Sequence, residues 1–287
     1  EQTDEVPNTM TEMARVAAVR HDGEAARYLV DGEWQSLTYQ QLWERVEPLA
    51  RGLVASGVEV GDRVALISDT RVEFLIAQLA IGTAGAVAVP VYPSNSPDEC
   101  RWVVGNSESV LIFCEDADQV AKIEEVRSDL PDLRELVVLT GSAAGTITTD
   151  ELAARGAGVD DDELPRREAQ VQPSDACLII YTSGTTGRPK GVVLTHSGFA
   201  AGRAAIDEME LFGHGDVLYL YLPLAHAFAQ ITAAASLEVG AAIAFWGRDP
   251  LQITAELAQV APTVLPSVPR IFEKVYAAAQ GFIPDEK

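Results

Sequence analysis

From Val64 onward the sequence repeats one unit: a short apolar run, a turn, then a segment with helical spacing. Residues 64–67, 87–91, 110–114 and 136–139 read as buried strands, and residues 72–81, 100–106 and 118–128 read as the helices between them. Strands that are apolar throughout and joined by helices call for a mostly parallel sheet covered on its faces. The pattern resumes at Ala176. Strands are expected at 176–181, 217–222, 241–245 and 263–265, and helices at 197–211, 227–237, 250–260 and 269–279. The last helix carries a proline at its first position, where the missing N–H is not needed. Ahead of the alternation, residues 38–56 form one amphipathic helix: Thr38 is a good N-cap, and Leu42, Val46, Leu49 and Leu53 share a face. Residues 140–175 interrupt the pattern with an acidic run, Asp160-Asp161-Asp162-Glu163, and no long apolar stretch. They read as a solvated surface connection.

Composition removes several classes of function. The 287 residues hold 21 Lys+Arg against 43 Asp+Glu, a formal net charge of −22. No basic surplus exists to neutralise nucleic-acid phosphates or to favour an anionic membrane surface. Cys100, Cys114 and Cys177 lie 14 and 63 residues apart, with no CxxC pair and no zinc spacing. They read as small buried hydrophobes in a reducing, cytoplasmic setting. The acidic start, EQTDEVPNT, lacks the basic and apolar regions of a signal peptide. Residues 74–93 are twenty positions without a charge, long enough to span a bilayer. Their character changes midway, from helical spacing to VAVPVY, so they read as helix, turn and buried strand.

The segment with the most chemistry is Tyr181-Thr182-Ser183-Gly184-Thr185-Thr186-Gly187-Arg188-Pro189-Lys190-Gly191, directly after the apolar run CLIIY. Its three glycines permit left-handed backbone and close approach to a ligand. Its four Ser and Thr hydroxyls and its N–H groups can donate to phosphate oxygens, and Arg188 and Lys190 place positive charge in a negative molecule. It is not a Walker A loop: five positions after Gly184 stands Pro189, and Gly191 follows the lysine. A flexible surface loop would not need eleven ordered positions of hydroxyl, glycine, proline and lysine behind a buried strand.

YTSGTTGRPKGVVLTH resembles the signature phosphate loop of the adenylate-forming (AMP-binding) superfamily, whose members include acyl-CoA synthetases, luciferases and adenylation domains. The likeness runs along most of the chain, through LTYQQLWERVEPLARGLVASGVEVGDRVAL, GAVAVPVYPSNSPDE and YLPLAHAFAQ. VLPSVPRIFEKVY is similar to the long-chain fatty acyl-CoA synthetase branch. The resemblance implies an α/β fold in which residues 1–287 form an incomplete N-terminal domain. Its sub-lobes would be 60–212, with the phosphate loop, and 10–59 plus 213–287.

The resemblance also implies a reaction. A fatty-acid carboxylate attacks the α-phosphorus of ATP, releasing pyrophosphate, and the thiol of CoA then displaces AMP. Thr182, Ser183, Gly184, Thr185, Thr186, Gly187 and Lys190 would hold the departing phosphates, with Lys190 and His226 as the catalytic pair and Mg²⁺ on the phosphate oxygens. No magnesium ligand is identified. His226 follows a strand and a Leu-Pro-Leu turn and would position or shape the acyl pocket, because a carboxylate nucleophile needs no base. His196 reads as a structural residue at a helix start, and His21 and His214 carry no site signal. Residues 225–235 and 241–246 would line an acyl tunnel, their alanines serving equally to leave room for a chain or to pack helix on sheet, and the Trp that gates the tunnel in some long-chain relatives is absent after His226. The family's Tyr-Gly-x-Thr-Glu segment, its ribose-binding Asp and the C-terminal lid domain do not occur in these residues, so 1–287 alone is not expected to turn over. Two other readings share these residues: a fatty-acyl-AMP ligase that loads an acyl carrier protein, and a non-catalytic nucleotide-binding fragment.

Overall fold

The computed structural model describes residues 8–182 and 187–269. In chain order the elements are α1 (Met13–Arg20), β1 (Glu24–Val30), β2 (Glu33–Thr38), α2 (Tyr39–Ala55), β3 (Arg63–Ile67), α3 (Val72–Thr83), β4 (Val87–Val91) and α4 (Pro97–Asn106). They continue with β5 (Leu111–Cys114), α5 (Ala117–Glu125), β6 (Glu135–Val138), β7 (Ile147–Thr148), α6 (Thr149–Arg155), α7 (Glu163–Glu168), β8 (Ala176–Thr182) and β9 (Lys190–Thr195). The last are α8 (His196–Glu208), β10 (Val217–Leu220), α9 (Ala227–Val239), β11 (Ala242–Phe245) and α10 (Ile253–Val260). All but the first residue of the helix expected at 269–279 lies outside the described residues. Among the described residues no helix is long and apolar enough to cross a membrane. The uncharged run resolves into α3, a turn at Gly85 (φ +78°) and β4.

Two sheets form. A seven-stranded sheet runs β7-β6-β5-β3-β4-β8-β9, and a four-stranded sheet runs β10-β11-β1-β2. Neighbours are parallel except β8/β9 and β1/β2. This is the mostly parallel α/β architecture expected. In the larger sheet, successive β3 residues point to opposite faces. Val64 and Leu66 join α2 and α3 in one core, while Ala65 and Ile67 join α4 and α5 in another. The chain steps from β3 to β4 on one side and returns to β5 on the other. The β3/β4 boundary is therefore a topological switch point, and ligands of open α/β sheets bind at the strand carboxyl ends there.

α2 forms as its spacing requires. Thr38 and Gln41 make a reciprocal capping box, and Leu42, Val46, Leu49 and Leu53 are buried, with Pro48 on the exposed side. Three segments differ from the sequence reading: one departs from it, and two carry strands that it did not assign. First, residues 140–175 are more than a solvated connection. Asp160–Asp162 are exposed, but α6 docks on α2 through fully buried Leu152, and Gly156 packs against the Arg51 backbone. Small residues on both sides let the backbones touch without a long apolar run. Second, 190–195 is a strand: β9 folds back antiparallel on β8, so the residues flanking the glycine-rich loop pair as a hairpin. Third, residues 24–38 form the β1/β2 hairpin through a tight turn at Asp31 and Gly32, both at positive φ (50° and 84°).

Candidate active site

Pro90 helps to open the site. β4 pairs with β8 at Ala88 and Leu178. Two residues on, Pro90 has no N–H to extend a ladder. Beyond it lies a cleft of about 370 Å³, between Tyr92 and Asn95 after β4, Tyr181 and Thr182 at the end of β8, Pro189 before β9, and His226. A recess of about 400 Å³ between α2, α3 and α6 is similar in size but holds neither the loop nor a histidine. It is therefore not the candidate site.

The hairpin brings the two ends of the loop together. Thr182 and Lys190 are cross-strand partners, both exposed, and Gly187 takes φ +111°, which a side chain would strain. Ser183, Gly184, Thr185 and Thr186 lie outside the described residues. Lys190 opens β9 one residue beyond the cleft wall formed by Pro189. Arg188 is engaged elsewhere: its guanidinium carbon sits 4.7 Å from the centre of the Trp102 ring. The Trp102 indole N–H donates to the Pro189 carbonyl at 2.8 Å. Neither contact is visible in the loop sequence, because Trp102 belongs to α4.

His226 reaches the same cleft from the other sheet, as the N-cap of α9. The Phe228 N–H donates to its Nδ1 at 3.4 Å, which leaves Nε2 to carry the proton of a neutral ring. The side chain is exposed, so it is not a packed helix-start residue. Its backbone is held by a buried stitch: Thr70 Oγ1 donates to Leu222 O and accepts from Leu224 N–H, both at 2.8 Å. The Gln78 and Gln230 amides also pair, and Gln230 donates to Leu224 O. The sequence reading missed Thr70, Gln78 and Gln230. The gap of 152 residues between Gln78 and Gln230 closes only in the tertiary fold. α9 starts at the cleft, with the positive end of its dipole there. The N-terminus of α4 is already occupied: Ser96 and Glu99 cap it reciprocally, and the Ser96 backbone N–H holds the Glu99 carboxyl below its usual range.

A smaller recess of about 150 Å³ continues from the cleft past Tyr92 and Ser94 to Thr70, Tyr221, Ala225 and Trp246. The Trp246 indole N–H is buried with no partner among the described residues. Of the segments expected to line an acyl tunnel, Ala225 and Trp246 reach this recess. Ala229, Ala233, Ala234, Ala235, Ala241, Ala242 and Ala244 are buried in packing. Beside the recess, buried Glu115 at the end of β5 ties the two sheets together. Its carboxylate meets Arg71 at 3.1 Å and Arg248 at 2.5 Å, and accepts from the Asp69 N–H at 2.7 Å. Burial, and then the charge of Glu115, raises the Asp69 carboxyl pKa.

The remaining histidines and cysteines lie apart from this chemistry. His196 is buried at the start of α8, and its Nδ1 accepts from Met10 N–H at 3.0 Å. Burial lowers its pKa to about 4. His21 and His214 stack with centroids 6.1 Å apart. All three cysteines are unpaired and buried, and burial raises Cys100 to about 11 and Cys177 to about 12. They are not thiolate nucleophiles at neutral pH.

The glycine- and hydroxyl-rich segment thus follows the carboxyl end of β8 in a mostly parallel α/β sheet, and comparison with known proteins shows the family to which such a chain belongs. Residues 13–286 match the family model described as AMP-binding enzyme, and the chain belongs to that family. It is 38% identical over 283 residues to the long-chain-fatty-acid–CoA ligase FadD15 of Mycobacterium tuberculosis, covering 96% of this chain and 47% of that protein. It is 32% identical to the peroxisomal long chain acyl-CoA synthetase 6 of Arabidopsis thaliana, covering 86% of this chain and 36% of that one. Among solved structures, the inhibitor-bound N-terminal domain of FACL13 from Mycobacterium tuberculosis superposes with a TM-score of 0.79 at 25% identity, covering 96% of this chain and 66% of that one. A Mycobacterium tuberculosis fatty acyl CoA synthetase gives 0.76 at 26%, covering 93% and 50%. The chain spans about half the length, or less, of the curated relatives it matches.

Proposed function

We propose that the protein carrying this chain is an ATP-dependent acid–thiol ligase that converts a fatty acid to its acyl adenylate and passes the acyl group to CoA. The observation that carries this reading is the shared cleft, where the phosphate-loop hairpin and His226 arrive from two different sheets at strand carboxyl ends. In the first step a carboxylate oxygen forms a bond to the α-phosphorus while the bond to the pyrophosphate oxygen breaks. Two anions meet, so the work of the protein is alignment and charge neutralisation. Thr182, Ser183, Gly184, Thr185, Thr186 and Gly187 bind the β- and γ-phosphates in this reading. Lys190 neutralises charge on the leaving pyrophosphate, and His226 shapes the carboxylate end of the acyl site. In the second step the thiol sulfur bonds to the acyl carbon and AMP leaves. Mg²⁺ would accompany ATP and screen its phosphates. Among the described residues no group of three or more His, Cys, Asp or Glu side chains is placed to hold a metal ion, so no step is assigned to it. The two sheets correspond to two sub-lobes in this reading, 60–212 and 10–59 plus 213–287, and the three unpaired cysteines support a cytoplasmic location.

The test is fatty-acid-dependent exchange of labelled pyrophosphate into ATP by the full-length protein. Exchange is expected with fatty acids, and Lys190→Ala is expected to lower its rate by about 10²-fold, the scale of removing one transition-state donor. An unchanged rate removes Lys190 from the site, and no exchange with any fatty acid ends the reading. Offering CoA and acyl carrier protein side by side identifies the acceptor, with thioester formation on CoA expected.

A further inference from the structure

α4 presents two side chains one helical turn apart, and both reach the phosphate-loop hairpin. Trp102 donates its indole N–H to Pro189 O at 2.8 Å, and its ring carries the Arg188 guanidinium at 4.7 Å. Asn106 Oδ1 accepts from the Tyr181 hydroxyl at 2.8 Å. Positions i and i+4 of a helix lie on one face, so one rigid element holds the residue just before the loop and the residues that end it. The hairpin is shaped for this contact. A Cβ at Gly191 would lie 3.0 Å from Ile179 Cγ2 and 3.1 Å from Tyr181 Cζ, so glycine there lets the tyrosine ring lie against β9. α4 is itself anchored by its capping box and by Cys100, Val103 and Val104, all buried in the core of its sheet face.

We propose that α4 is a clamp that fixes both ends of the phosphate loop, with Trp102 and Asn106 as positioning residues for ATP; the proposal rests on the ATP-dependent reading above. With Tyr181, Arg188 and Pro189 held by α4 before the nucleotide arrives, these residues lose less ordering entropy on binding. It also divides the work of the two cations: Arg188 is a strut on the indole, and Lys190 is left to meet phosphate.

The experiment measures KM for ATP and for the fatty acid in pyrophosphate exchange by the full-length protein, together with the thermal midpoint. Trp102→Phe keeps a ring for Arg188 and removes the N–H. Trp102→Leu removes both contacts, and Asn106→Ala, at the exposed end of α4, leaves the core intact. KM for ATP is expected to rise roughly 3- to 10-fold in Trp102→Phe and Asn106→Ala and further in Trp102→Leu, as for loss of one or two net hydrogen-bond contributions. KM for the acid should stay within about 2-fold, as at an uncoupled site. An unchanged KM for ATP in the three variants of an active protein overturns the clamp alone. A parallel rise of both KM values with a fallen midpoint also overturns it, since that is the signature of general loosening. Absence of exchange in the unaltered protein overturns the functional reading and the clamp with it.

Discussion

His196 shows how a single residue near the phosphate loop in sequence takes a purely structural role. It follows β9 directly, yet its ring turns into the core and accepts the Met10 N–H. Burial is the main cause of its lowered pKa, about 4 against 6.5 in the unfolded chain, and nearby Asp175 and Glu12 oppose it weakly. Between these values the unfolded state binds the extra proton, so the His196 contribution to stability is lost as pH drops from about 6.5 to about 4 and is constant above that window. The contribution is about 1–3 kcal/mol after allowance for solvent screening. Urea melts at pH 7 and pH 4 check it. His196→Gln should show a smaller loss across the window than the natural chain, and equal losses would remove His196 as a source of acid sensitivity.

Helix contacts explain why residues 140–175 could not be read as packed. α6 meets α2 where Gly52 faces the Leu152 backbone, and a Cβ on Gly52 would stand 2.2 Å from Leu152 O. Alanine normally helps a helix interior by about 1 kcal/mol over glycine. Here the obstacle is backbone, which cannot swing aside. Overpacking penalties of about 1–3 kcal/mol or more therefore win. Gly52→Ala is expected to destabilise by about 2 kcal/mol, seen as a lower urea midpoint with an unchanged slope. A stabilised variant would mean that α6 is free to move off α2.

At the scale of the molecule, the two sheets must keep a fixed relation for the loop and His226 to share one cleft. Thr70 lies at the β3–α3 junction of one sheet and bonds Leu222 and Leu224 in the β10–α9 connection of the other. Thr70→Val has nearly the same shape but leaves the buried Leu224 N–H and Leu222 C=O without this partner. The expected cost is about 2–4 kcal/mol, since each orphaned buried group costs about 1–3 kcal/mol. Hydrogen exchange should localise the weakening to the Leu224 amide. A melt unchanged from the natural chain would show that the sheets are held by other contacts, of which the Glu115 pairs with Arg71 and Arg248 are the first to examine.

The amino-acid order alone determined the local elements and the loop chemistry. Apolar runs in alternation set the strands and helices, Thr38 set the start of α2, and hydroxyls and glycines after CLIIY marked a phosphate-binding composition. These signals act within a few residues of one another, through backbone geometry and side-chain period. The β1/β2 hairpin was equally local in its Asp31–Gly32 turn, but its strands are half exposed and carry little apolar alternation. Tertiary structure decided what distant segments do to each other: α4 reaching the loop ends through Trp102 and Asn106, Thr70 stitching the turn before His226, and the alanines of α9 and β11 buried in packing. Those outcomes depend on which faces meet across gaps of tens to hundreds of residues, and periodicity along the chain carries no information about a partner that far away.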